Sequence, residues 1–108
     1  MAYEIIFSPN AEADLENLRK VDQTKVLEAI EQHLSHEPTK ESKSRIKRLR
    51  SYDQPQYRLR VDDLRVFYDV LFTVNGGTVE VLAIREKSSA MKWLALHGII
   101  SDETSTTE

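Results

Sequence analysis

The chain contains no cysteine among its 108 residues, which removes disulfide frameworks, thiolate metal sites and a cysteine nucleophile at once and fits a reducing compartment. Glycine is scarce, at 3 residues, and none of them builds a glycine-rich phosphate loop. Long apolar runs are also missing. A membrane-spanning helix needs about 20 such residues, and nothing here approaches that. The N-terminal stretch, Met1 to Phe7, lacks the basic-then-apolar order of a secretory leader. A soluble, cytoplasmic protein is expected. His33, His36 and His97 stand apart from one another and from any Asp/Glu spacing that would hold a metal, so they read as surface or capping residues; no metal site and no cofactor is expected.

The length suits one domain with a single hydrophobic core. That domain is expected over residues 1–100, with residues 101–108, which include no apolar side chain, as a disordered tail. The formal net charge of −3 speaks against a polyanionic partner until it is divided along the chain. Residues 1–39 carry 3 Lys/Arg against 8 Asp/Glu, residues 40–65 carry 9 against 4, and residues 66–108 carry 3 against 6. One stretch is therefore basic on an otherwise acidic body, either as a solvated charged surface or as a patch facing a polyanion.

Residues 3–8 are rich in β-branched and aromatic side chains and stop at Ser8-Pro9, where Ser suits a helix cap and Pro the first helical position. Ala11, Leu15 and Leu18 then recur at helical spacing. Asp22 is the expected cap of a second helix with Val26, Ile30 and Leu34 on one stripe, ending before Pro38. Residues 40–50 leave strand and helix undecided. Tyr57, Leu59 and Val61 alternate with Arg58, Arg60 and Asp62, and Leu64, Val66, Tyr68 and Val70 alternate in the same way after a turn at Asp62-Asp63. Another strand follows Asn75-Gly76-Gly77, and Ser88 or Ser89 is the expected cap of a last helix bearing Met91, Trp93, Leu94 and Leu96. The fold class is α+β: an N-terminal strand, a helical hairpin, an antiparallel sheet of three to four strands and a short C-terminal helix.

A two-residue hairpin at Asp62-Asp63 sets Arg60 opposite Arg65 and Arg58 opposite Phe67, so three arginines share one face. Directly opposed like charges destabilise a sheet. Either Asp62, Asp63, Asp69 or a C-terminal carboxylate neutralises them, or the face binds an anion, for which guanidinium forks suit phosphate. For the next hairpin, a three-residue loop at Asn75 to Gly77 keeps one face apolar. It would place Lys87 opposite Arg65 and bring Arg85 and Lys87 to the arginine face.

With Tyr57-Arg58-Leu59-Arg60-Val61 followed by Leu64-Arg65-Val66-Phe67-Tyr68-Asp69-Val70, residues 3 to about 97 resemble the RelE/ParE toxin superfamily, in which a Y-[KR]-[IL]-[KR]-V strand precedes an R-V-[IF]-Y strand. The RelE-like resemblance implies catalytic cations at Arg60, Arg65 and Lys87 and substrate or phosphate contacts at Arg58, Arg85 and Trp93. RelE has lysines where Arg58 and Arg60 stand and tyrosine where Trp93 stands. Ala83-Ile84-Arg85-Glu86-Lys87 also replaces the Gly-His-Arg type motif of many relatives. Tryptophan has no titratable proton, so it can stack on a base but cannot act as general base, which leaves Glu86, Lys87 or Tyr68.

The implied function is that of the toxin of a type II toxin–antitoxin pair, neutralised by a cognate antitoxin protein. The leading expectation is a ribosome-dependent mRNA endonuclease, free of metal, that yields a 2′,3′-cyclic phosphate and a 5′-hydroxyl. The alternative is a ParE-like toxin that inhibits DNA gyrase by binding.

Overall fold

The computed structural model describes residues 2–101. Strand β1 (Glu4–Phe7) gives way to helix α1 (Pro9–Glu16) at Ser8, whose Oγ accepts a hydrogen bond from the Ala11 N–H at 3.1 Å. One of the amides that a helix start leaves unpaired is thereby satisfied. Helix α2 (Lys20–Leu34) begins three residues earlier than a cap at Asp22 would place it. Arg19 holds the cap position without a side-chain cap, and Asp22 sits in the first turn, accepting from Arg19 Nε at 3.2 Å. A carboxylate is favoured throughout that turn by the helix dipole, so the residue type marks the end without marking the boundary.

Val26, Ile30 and Leu34 of α2, with Ala11 of α1, are buried against one face of a five-stranded sheet. Its order is β1-β6-β5-β4-β2, built from β2 (Ile46–Arg48), β4 (Tyr57–Val61), β5 (Leu64–Thr73) and β6 (Gly76–Glu86) as antiparallel neighbours, with β1 added parallel to β6. The basic stretch thus supplies an edge strand, anchored by buried Ile46 opposite Leu59. Helix α3 (Lys87–His97) covers part of the other face, where Phe67, Ala83, Ala90 and Leu94 form a second, smaller core. Strands β3 (Tyr52–Gln54) and β7 (Ile99–Ile100) pair beside it. Ser101, expected to begin a tail, is 8% exposed and its N–H donates to the Ser51 carbonyl at 2.9 Å; the rest of that expected tail lies outside the described residues.

The β4–β5 register is the expected one, including Arg60 opposite Arg65. The β5–β6 register is not. The turn is Val74-Asn75, with Thr73 opposite Gly76 and Tyr68 opposite Val81. Both glycines are spent inside the strand: Gly76 adopts φ 132°, and Gly77 lies so close under the Tyr3 ring that a Cβ there would sit 2.2 Å from Cε2. Continued unbroken, this pairing would put the wrong face of β6 toward the core. Leu82 instead bulges out between the Tyr68–Val81 and Phe67–Ala83 pairs, and Val66 then meets Ile84 and Arg65 meets Arg85. Arg85 therefore takes the place expected of Lys87, which opens α3. That helix is capped by Glu86, without a side-chain cap, rather than by Ser88 or Ser89.

Candidate nucleic-acid interface

Residues directly opposed on neighbouring strands share a sheet face, so Arg60, Arg65 and Arg85 form one row across β4, β5 and β6. Arg58 lies one step along β4, between Lys47 and Phe67. The face is opposite the helical hairpin, because Leu59, Val66 and Tyr68, which alternate with these arginines, line the main core.

Asp62 and Asp69, two of the carboxylates expected to neutralise the row, are engaged elsewhere, and Asp14 pairs only with its Arg85 end. Asp62 pairs with Lys25 at 3.4 Å in an exposed contact. Asp69, buried, accepts from Gln54 Nε2 at 2.6 Å and from the Gln56 N–H at 2.8 Å. Asp14 reaches Arg85 at 3.4 Å and accepts the Ile84 N–H at 3.0 Å. Among the described residues Arg58, Arg60 and Arg65 have no carboxylate ion pair. Part of the basic stretch is spent on structure instead: Arg50 pairs with Glu41 at 2.7 Å, and Arg48 donates to the Gln56 carbonyl at 2.8 Å.

Arg65 is 8% exposed and donates through Nη1 to the carbonyls of Asp62 and Leu64, both at 2.9 Å, so the tight turn holds it in place. Burial and then Arg60 push its guanidinium below the ordinary arginine range, against an opposing pull from Asp63. Burial, followed by Arg65 and Arg60, lowers that of Arg58. Arginine stays protonated at neutral pH, so these shifts mean that the fold keeps cations together at a cost in stability. The Nε atoms of Arg58 and Arg85 are buried without a hydrogen-bond partner.

Trp93 of α3 stacks on Phe67 with ring centroids 4.9 Å apart, which occupies one face of the indole. His97, four residues on and so on the same side of the helix, lies 5.5 Å from Trp93. With Arg85 the two line a cavity of about 430 Å³. His97 is exposed, as expected of a surface residue; the cavity beside it was not legible in the sequence because its other walls come from a strand and a corner remote in the chain.

Lys87 is exposed, and its N–H donates to the Asp63 carbonyl at 2.7 Å, next to a hollow lined by Asp63, Glu86 and Ser88. Two of the groups considered for proton transfer lie away from the arginines. Glu86 pairs with Leu64 on the face of the main core and lines a hollow with Arg19, Asp22 and Lys25. Tyr68 is fully buried; its hydroxyl donates to the Pro38 carbonyl at 2.6 Å, and burial drives its pKa far above the usual tyrosine range. Among the described residues no group of three or more His, Asp or Glu is placed to hold a metal ion, and no helix is long and apolar enough to cross a membrane.

The profile of the family described as "ParE toxin of type II toxin-antitoxin system, parDE" matches residues 5–91. No curated protein matches the chain. Among solved structures, the toxin–antitoxin complex RelBE2 from Mycobacterium tuberculosis matches with a TM-score of 0.62 and 24% identity, over 80% of this chain and 99% of that one. The archaeal RelE–RelB complex from Pyrococcus horikoshii matches with a TM-score of 0.62 and 23% identity, over 81% and 97%. At those identities the likeness is one of fold.

Proposed function

Because the chain belongs to the ParE toxin family of type II toxin–antitoxin systems, we propose that it arrests growth by cleaving messenger RNA on the ribosome. The observation that carries this reading is the set of three arginines, Arg58, Arg60 and Arg65, packed on one face with no carboxylate partner among the described residues. A phosphodiester supplies the missing negative charge, and guanidinium forks match its oxygens with paired hydrogen bonds. In the reaction a ribose 2′-oxygen attacks the adjacent phosphorus and the bond to the 5′-oxygen breaks. The products are a 2′,3′-cyclic phosphate and a 5′-hydroxyl, and the proton lost at the 2′-oxygen is balanced by one gained at the 5′-oxygen. Arg60, Arg65 and Lys87 stabilise charge growing on the phosphate, while Arg58 holds the flanking backbone. Positioning by the ribosome supplies orientation that so small a surface lacks.

The partner is a cognate antitoxin, as in the two solved complexes of like fold. Its acidic residues would lie over the arginine row and supply the counter-charge.

One observation favours a second reading, inhibition of DNA gyrase by binding alone: among the described residues, no side chain that moves protons at neutral pH stands among the three arginines. Glu86 and Tyr68 face the other side of the sheet, and the Trp93 indole has no group that titrates near neutral pH. Primer extension on cellular mRNA after induction, beside a gyrase supercoiling assay, tests both. Discrete new 5′ ends with unchanged supercoiling are expected. Inhibited supercoiling without new ends would replace the nuclease with the gyrase reading.

A further inference from the structure

We infer that the cavity between the start of α1, the Gln54-Pro55 corner and α3 is a subsite for one unstacked nucleobase, entered from the Arg85 end of the arginine row. The choice of ligand rests on the RNA reading proposed above; the shape and chemistry of the site do not.

At about 430 Å³ the cavity falls in the range of small-molecule sites. Its aromatic wall is Trp93 with His97, and Trp93 is kept in place by its stack on Phe67. Leu82 adds apolar surface, brought there by the bulge in β6. Two side-chain amides complete it. Asn10 makes no side-chain hydrogen bond among the described residues, so both its donor and its acceptor are available. Gln54 is fixed from behind: a carboxylate only accepts, so its Nε2 must point at Asp69, 2.6 Å away, and its Oε1 is left as an oriented acceptor.

A planar ring with mixed donors and acceptors on its edge fits this set, and single-stranded RNA bases are recognised by aromatic contact and edge hydrogen bonds of this kind. An anion fits it poorly. The cavity's arginine is already paired with Asp14, so little unbalanced positive charge remains there. The row of arginines and the cavity thus divide the work, the first taking phosphate and the second a base.

The chain has a single tryptophan, so the indole N–H of Trp93 gives one assignable signal in a ¹⁵N–¹H correlation spectrum. Titration of the full chain with AMP, GMP, CMP and UMP should shift that signal saturably for at least one of them, whereas ribose 5-phosphate should not. His97→Ala should weaken the binding by about fivefold or more through loss of aromatic contact. His97 is exposed, so the fold should tolerate the change. Asn10→Ala should alter the ranking of the four nucleotides. No shift with any nucleotide, an equal shift with ribose 5-phosphate, or an equal shift with N-acetylphenylalaninamide would overturn the subsite, the last in favour of a protein side chain. mRNA cleavage without nucleotide shifts would sink the subsite alone; shifts without cleavage would support the subsite and sink the nuclease.

Discussion

Replacing Arg58 with Met should make the protein more stable and less toxic at the same time. Arg58 stands between Lys47 and Phe67 with Arg60 and Arg65 near enough to depress its pKa, and its buried Nε has no partner. An unsatisfied buried donor costs about 1–3 kcal/mol. The lower end applies here, because Arg58 is only half-buried and the rest of its guanidinium reaches water. Met keeps an unbranched apolar stem against Phe67 without the charge or the stranded N–H. The expected gain is about 1 kcal/mol, or a rise in Tm of about 4–8 °C for a domain near this size. Thermal denaturation followed by circular dichroism measures it, and lowering the salt should widen the gap as repulsion among the remaining parent arginines grows. Growth arrest should be lost in the same variant. A Tm several degrees below the parent would refute the reasoning, since it would mean that the guanidinium stabilises the fold.

Arg65→Gln should behave differently although it lies in the same cluster: it relieves repulsion but removes the donor to the Asp62 and Leu64 carbonyls, so a net loss of about 1 kcal/mol is expected together with lost toxicity, and a raised Tm would show those turn contacts to be idle. Tyr68→Phe should cost about 1–2 kcal/mol in urea denaturation by stranding the buried Pro38 carbonyl, and should leave growth arrest intact in the folded protein. Because folding raises the Tyr68 pKa, the unfolded chain releases that proton first, near pH 10, and stability should fall as pH rises beyond that point; Tyr68→Phe should flatten the decline. Ser8→Ala should cost about 1 kcal/mol through the lost α1 cap, and an unchanged urea midpoint would show that another group caps the helix.

What the sequence determined by itself is what repeats over a few residues. Ser8-Pro9 carries its own chemistry for ending a strand and starting a helix, and the structure has both there. The alternation from Tyr57 to Val70 around Asp62-Asp63 left one register for that hairpin, because side chains change face at every residue and the turn is short. The arginine face was legible for that reason, and so was the fold class. The tertiary structure decided whatever depends on partners distant in the chain. Ile46–Arg48 is a strand because Leu59 offers it an apolar opposite, which no periodicity within the basic stretch could reveal. Val74-Asn75 is the second turn because the Tyr3 ring, brought in by β1, lies on Gly77. Leu82 bulges to restore the facing that this turn had offset, so Arg85 meets Arg65 and Lys87 is left to open α3. Beyond the bulge the observed register differs from the expected one by two residues, so either one puts Arg85 on the arginine face; before it the two differ by three, and Val79 and Val81 lie on the core face instead of the arginine face. Alternation has period two: it says which side chains share a face within an unbroken stretch, while turns and bulges that only packing selects decide which face that is and which neighbour each side chain meets.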